Sequence, residues 1–195
     1  MVLGIDPSLS ATGLAIWPNS EALVLSTVDS KPGDIEPRLL NIIQRVNVTL
    51  NQSEPTLVAI EGLAFGSKTG SPAERGALHF GIRMALYLRR IPFIVVAPGA
   101  LKKFVTGSGT AEKSMVLRDV YKRWGIDAKD DNQADAAGLA YIAAAVEGLW
   151  EPTTEAQRQV IDSLKQQDKA KPPKKRGKRK TDVTPASPDN PATSR

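Results

Sequence analysis

The sequence predicts an α/β fold built on a five-stranded mixed sheet, a three-strand antiparallel meander plus two parallel strands, with helices on both faces. Two observations carry this. Three short apolar runs open the chain with too few residues between them for a crossover helix. Strand-like and helix-like segments then alternate, the pattern that puts helices on both faces of a partly parallel sheet.

The elements follow in order. Val2–Asp6 is an apolar run ending in an acid, and Thr12–Trp17 and Ala22–Val28 are two further strands separated by the turn-prone Pro18-Asn19-Ser20. Glu36–Gln52 spaces Leu39, Leu40, Ile43, Val46 and Leu50 as a helix does, with Pro37 in the first turn. Leu57–Glu61 is a buried-type strand, again ending in an acid. In Ser71–Arg90, Ser71 is placed to cap a helix with Pro72 at its first position. Phe93–Ala97 is an all-apolar strand, and Pro98–Val105 a short helix. After the turn Gly107-Ser108-Gly109, Thr110 is expected to cap a helix running to about Trp124, with Gly125 beyond it. Asp131–Leu149 is an alanine-rich helix and Glu155–Gln167 a last short one. Residues 1–150 are thus expected to form the folded domain, 151–168 a helical extension, and 169–195 a disordered tail of Lys, Pro, Ser and Thr.

Composition narrows the function. The chain has 195 residues and no cysteine, which excludes disulfides and cysteine-based zinc sites. It opens directly on a strand without a signal-peptide pattern, and no apolar run approaches the ~18–20 residues that span a bilayer, so a cytoplasmic protein is expected. The net charge of +5 divides unevenly. Residues 1–165 hold 17 Lys/Arg against 18 Asp/Glu, whereas residues 166–195 hold 9 Lys/Arg against 3 Asp. The body must therefore engage a polyanion through local patches.

Asp6 and Glu61 end two strands, and Asp131 and Asp135 lie four apart at the start of a helix, where two carboxylates share a face. A lone strand-end Asp is commonly a turn cap. Clustered carboxylates repel one another, and a divalent ion removes that repulsion. Hard oxygen donors with no cysteine and a single histidine suit Mg²⁺, with Mn²⁺ as a substitute, over Zn²⁺. Two such ions can activate water and stabilise the leaving oxygen of a phosphodiester.

The run Gly4-Ile5-Asp6-Pro7-Ser8-Leu9-Ser10-Ala11-Thr12-Gly13 resembles the first motif of the RuvC-type Holliday junction resolvases, and Val58-Ala59-Ile60-Glu61 resembles their second. Pro98-Gly99-Ala100-Leu101-Lys102-Lys103, followed by Gly107-x-Gly109-x-Ala111-Glu112-Lys113, resembles the third, and Asn132-Gln133-Ala134-Asp135-Ala136-Ala137 the fourth. The ordered set spans residues 2–147. The resemblance implies an RNase H-like fold and a homodimeric, Mg²⁺-dependent enzyme that nicks branched DNA symmetrically, leaving 5′-phosphate and 3′-hydroxyl ends. It implies Asp6, Glu61, Asp135 and Asp131 as metal ligands and catalytic acids, with Lys113 or Lys102 stabilising charge on the phosphate. The fourth motif departs from the family pattern of two groups three apart: Asn132 and Gly138 stand at those positions, and Asp131 is one residue off. The basic tail is similar to that of phage-encoded relatives.

Several other residues are candidates for handling DNA. Lys102, Lys103, Lys113 and Lys68 are candidate phosphate contacts, and Phe65, in the Gly-rich loop after Glu61, is a candidate wedge between bases. Surface solvation for the lysines and core packing for Phe65 are the plainer alternatives. Ala73, Gly76, Ala77 and Gly81 permit a close helix–helix approach, at a dimer interface or within the subunit. His79 is expected to be structural. Residues 169–180 hold eight Lys/Arg in twelve positions, suited to salt-sensitive attraction to DNA. Three other functions compete: a sugar-kinase-like ATPase, which needs a second phosphate motif absent here; a non-catalytic module that binds branched DNA; and a nuclease of the same fold acting on forks, flaps or RNA. No nucleotide cofactor and no membrane partner are expected.

Overall fold

A computed structural model describes residues 1–17, 23–63 and 71–169. Phe65 and Lys68, and all of the tail beyond Lys169, lie outside the described residues.

Five strands form one sheet: β1 (Val2–Asp6), β2 (Ala11–Trp17), β3 (Val24–Asp29), β4 (Leu57–Glu61) and β5 (Phe93–Val96), in the order β3-β2-β1-β4-β5. β1 pairs antiparallel with β2, and β2 with β3; β1 with β4 and β4 with β5 are parallel. Among the described residues there are six helices: α1 (Ile35–Ser53), α2 (Pro72–Leu88), α3 (Pro98–Thr106), α4 (Lys113–Trp124), α5 (Asp131–Val146) and α6 (Glu155–Lys169). The architecture is the one expected, including the meander and the two parallel strands.

The period of two along each strand divides the core. Leu3 and Ile5 of β1 and Val58 and Ile60 of β4 face α1 and α2, packing with Ile42, Val46, Leu78 and Ile82. Val2 and, on β4, Leu57 and Ala59 face the other side, where α3, α4, α5 and α6 pack. Asp6 and Glu61 share the parity of Gly4 and Ala59. The same alternation that builds the core therefore sends both acids to the α5 side.

α5 is the central helix. It is apolar on nearly every face because it touches the sheet, α3, α4 and α6 at once, so it shows no amphipathic stripe. Two glycines let it lie against the sheet. A Cβ on Gly4 would stand 2.1 Å from the Ala136 carbonyl oxygen, and one on Gly13 would stand 2.1 Å from that of Asn132. Ala15 of β2 meets Ala136 and Ala140 in the same seam.

Two expectations are corrected in detail, and one open alternative is decided. Thr110 does not cap α4; it lies in a turn closed by the Ala111 amide on the Ser108 carbonyl, and the helix begins at Lys113 with Glu112, in extended backbone, at the N-cap. α5 ends at Val146, where Gly148 turns with φ 73°, and not at Leu149. Gly81 serves packing within the subunit, since a Cβ there would stand 2.5 Å from Ile43 Cδ1 of α1. Ser71 does cap α2, accepting from the Glu74 amide, with Pro72 in the first turn.

Candidate active site

Asp6 stands at the C-terminal end of β1, buried to 6% exposure. Its place is fixed by the turn that follows. Thr12, fully buried, donates its hydroxyl to the Ser8 carbonyl at 2.7 Å and accepts the Ser8 amide at 3.2 Å, closing the β1–β2 turn. The parallel register pairs Ile5 with Ile60, so the next residue on each strand brings Asp6 beside Glu61. The two carboxyl groups face each other, and a shared proton would relieve their repulsion.

Asp131 and Asp135 arrive on the first turns of α5. Asp130 caps that helix, accepting the Gln133 amide at 2.8 Å, and so is committed to the helix end. Gln133 ties the helix to β3 by donating from Nε2 to Thr27 Oγ1 at 2.9 Å. With its rotation set by this bond and by Gly13, α5 directs Asp135 toward Asp6 and Glu61. Asp131 faces the same way and forms a salt bridge with Lys113, the first residue of α4. A lysine is disfavoured at a helix N-terminus, and the Asp131 carboxylate offsets that.

The electrostatics are those of crowded, buried acids. Burial, then the charge of Glu61, holds the Asp6 carboxyl well above the usual carboxylate range. Burial raises Glu61 to about 7, with Asp135 adding to the rise and Lys113 and Lys102 opposing it. Burial and the charge of Asp6 raise Asp135 to about 7 as well. Asp131, by contrast, is held low by its bond to Lys113, and Lys113 is held high by the same bond.

The structure thus brings together Asp6, Glu61, Asp131, Asp135, Lys113 and Lys102. Lys103, one residue on from Lys102, points elsewhere and donates to Gln159 of α6 at 2.8 Å. Among the described residues no three His, Asp or Glu side chains are spaced to grip one ion as they stand. The donor set nonetheless fits a hard divalent cation: all its donors are carboxylate oxygens, three of the four carboxyl groups are raised by burial and by one another's charge, and two lysines are at hand to balance the rest. Sequence reasoning placed Thr12, Gly13 and Gln133 inside motifs but gave them no role of their own, because their roles depend on tertiary contacts.

Comparison with known proteins identifies the family. The family model described as crossover junction endodeoxyribonuclease RuvC matches residues 2–145. The RuvC of Carboxydothermus hydrogenoformans is 30% identical over 146 residues, covering 72% of this chain and 92% of that protein. The RuvC of Paenarthrobacter aurescens is 35% identical over 152 residues, covering 73% and 80%. A Thermus thermophilus RuvC structure shares the fold, with a TM-score of 0.61 at 24% identity over 75% of this chain and 96% of that one. A second structure, T. thermophilus RuvC in complex with Holliday junction substrate, aligns with a TM-score of 0.61 at 26% identity over 71% and 89%. These relatives are bacterial and lend no support to the phage affinity suggested by the tail. With a family match over most of the folded residues, the chain belongs to the RuvC family of crossover junction endodeoxyribonucleases.

Proposed function

We propose that this protein resolves Holliday junctions by metal-dependent hydrolysis of DNA phosphodiesters at the site formed by Asp6, Glu61, Asp135 and Asp131. It is a crossover junction endodeoxyribonuclease, and the observation that carries the assignment to this site is the convergence of three buried, raised carboxyls with two lysines at the end of the parallel strands.

Asp6, Glu61 and Asp135 would hold Mg²⁺, with Mn²⁺ as a substitute and Asp131 as the outer ligand. Such an ion supplies an activated water and neutralises charge on the scissile phosphate. The protein's own groups do the rest. Deprotonation of the Asp6–Glu61 pair readies both for cation binding, and their burial excludes bulk water. Lys113, held charged by Asp131, and Lys102, close to Glu61 and Asp135, would stabilise negative charge on the phosphate oxygens in the transition state. A cation that neutralised Asp131 would leave Lys113 free to pair with a DNA phosphate.

The reading includes a homodimer. Along α2, Phe80, Met84, Tyr87 and Leu88 are 54–74% exposed and line one face at helical spacing. A two-fold partner would cover that stripe and supply a second site for the second strand. No helix among the described residues is long and apolar enough to cross a membrane. Resolving junctions in a bacterium is work for the cytoplasm, and that is the compartment we infer.

The test is cleavage of a synthetic four-way junction and a matched linear duplex with Mg²⁺, Mn²⁺ or EDTA, comparing wild type with Asp6→Asn. Paired nicks in the junction alone, abolished by EDTA and by the substitution, are expected. Tight junction binding without nicks in either metal would show the fourth motif to be degenerate and the protein to be a binding module.

A further inference from the structure

The sheet does not end level with Asp6. Asp6 pairs with Gly13 of β2, and Gly13 in turn with Thr27 of β3. From there β2 and β3 run on together to Ala11 and Asp29, two residues or about 7 Å further. The β1–β2 turn and the end of β3 therefore stand as a wall beyond the acids, its far side two strand spacings (about 10 Å) across from Asp6. Hydrogen bonds hold the wall together. The Ser30 amide, just past β3, donates to the Ser10 carbonyl at 2.9 Å. Ser8 Oγ and Ser10 Oγ lie 3.2 Å apart, and the two bonds between Thr12 and Ser8 tie the same turn to the strand end that carries Asp6.

Arg38 of α1 completes the wall. Its Nε donates to Ser30 Oγ at 3.3 Å. No carboxylate pairs with it: among the described residues the ion pairs are Lys113–Asp131, Arg118–Asp119 and Arg158–Glu155. Asp34 and Glu36, at the start of the same helix, are exposed and bonded to other partners or to none in place of Arg38. An arginine that only solvates a helix swings freely, and one that braces the fold is paired through its terminal nitrogens. Arg38 does neither. It is tethered at Nε, and both terminal nitrogens are left without a partner among the described residues. A guanidinium held in that way presents a planar pair of donors suited to a phosphate. The body, residues 1–165, is slightly acidic overall, so an oriented and unneutralised cation beside the acids is the kind of local patch by which it can hold a polyanion.

We infer that Arg38, set by Ser30, and the hydroxyls of Ser8 and Ser10 form a backbone-binding wall that holds phosphates flanking the one to be cut. The guanidinium supplies charge and the hydroxyls donate to phosphate oxygens, contacts that position a strand and carry no sequence information. Because the wall and Asp6 share one turn, a strand held there is held in fixed relation to the acids. This assignment rests on the reading of the four acids as the cleavage site.

The test uses the full chain and three variants, Arg38→Gln, Arg38→Lys and Ser30→Ala. Binding to a synthetic four-way junction is measured in EDTA across about 50–300 mM salt, where each phosphate contact contributes about 0.9 to the slope of log affinity against log salt. Arg38→Gln is expected to lower that slope by about 0.9 and the affinity at low salt by about tenfold. Arg38→Lys keeps the charge and should keep the slope, with most of the affinity recovered. Ser30→Ala leaves the guanidinium charged but untethered, so the slope should hold while affinity falls by less than in Arg38→Gln. Melting temperatures of the three should match the wild type. Wild-type slope and affinity in Arg38→Gln overturn the inference. So does a lowered melting temperature at unchanged slope, which would make Arg38 a strut between α1 and β3, and so does a lysine variant with the slope of the glutamine one. Failure of the wild-type protein to cut junctions in metal sinks the functional reading instead, and the salt comparison still decides the wall.

Discussion

Glu61 and Asp135 titrate near 7 in the folded protein, against about 4.3 and 3.9 for the same groups in an unfolded chain. Between those limits the folded state binds more protons. The stability these groups contribute is therefore fully present below pH 4 and lost as pH rises through 7. In EDTA the wild-type protein should lose on the order of a few kcal/mol between pH 5 and pH 8 from this pair. Thermal melts across that range should show the decline, and Asp135→Asn should flatten it and melt higher than wild type at pH 8. A parallel decline in the variant would contradict the assignment. Mg²⁺ should restore the wild-type melting point at pH 8 and have far less effect at pH 5, where the ligands are protonated. The acids themselves were legible in the sequence, because strand-end carboxylates and an i, i+4 pair are local patterns. Their protonation was not, since it depends on the register that sets Ile5 opposite Ile60. Nor could the sequence choose between Asp131 and Asn132. The structure has Asp131 facing Lys113, while the Asn132 carbonyl lies over Gly13.

The contact of α5 with β1 and β2 is backbone against backbone, so no rotamer can relieve an added methyl group. Gly13→Ala should lift the start of α5, lower the melting temperature by several degrees and sharply reduce junction cleavage. Gly4→Ala, deeper in the seam, should destabilise at least as much. Gly138→Ala meets only side chains, Leu101 Cδ1 and Val105 Cγ2 at 2.8 Å, and should be milder. Calorimetry on the three variants ranks them; equal losses would show that side chains yield no more readily than backbone here. This seam was hidden in the sequence. The strands β1 and β4 and the cap of α2 are written in adjacent residues, but closeness between Gly13 and Asn132 is not. α5 was found from its length and alanine content, and its boundary slipped by three residues because Leu149 continues the apolar run past the Gly148 turn.

For the whole molecule, the exposed face of α2 sets the expected assembly. Tyr87→Glu with Leu88→Glu adds two charges to an exposed face at no cost to the core. Sedimentation should find the wild type as a dimer and the double variant as a monomer that nicks one strand of a junction without pairing the nicks. Paired nicking by a monomer would remove α2 from the interface. The mixed sheet and its helix layers were readable from the order of the elements. The stripe on α2 was not, because its buried and exposed apolar residues look alike until α1 occupies one side.

All three tryptophans of the chain lie in one cluster around Tyr141. The Trp17 ring sits edge-on at 4.5 Å, the Trp124 ring is stacked at 3.9 Å, and the Trp150 ring is edge-on at 5.1 Å. The opposite face of the sheet, packed by α1 and α2, has none. Intrinsic emission excited at the red edge is thus a one-sided optical gauge. It reports the seam where α4 and α5 meet the end of the chain's family domain, and it is dark to loosening on the α1–α2 side. An unfolding curve followed by emission and one followed by circular dichroism would coincide only if both halves of the core give way together.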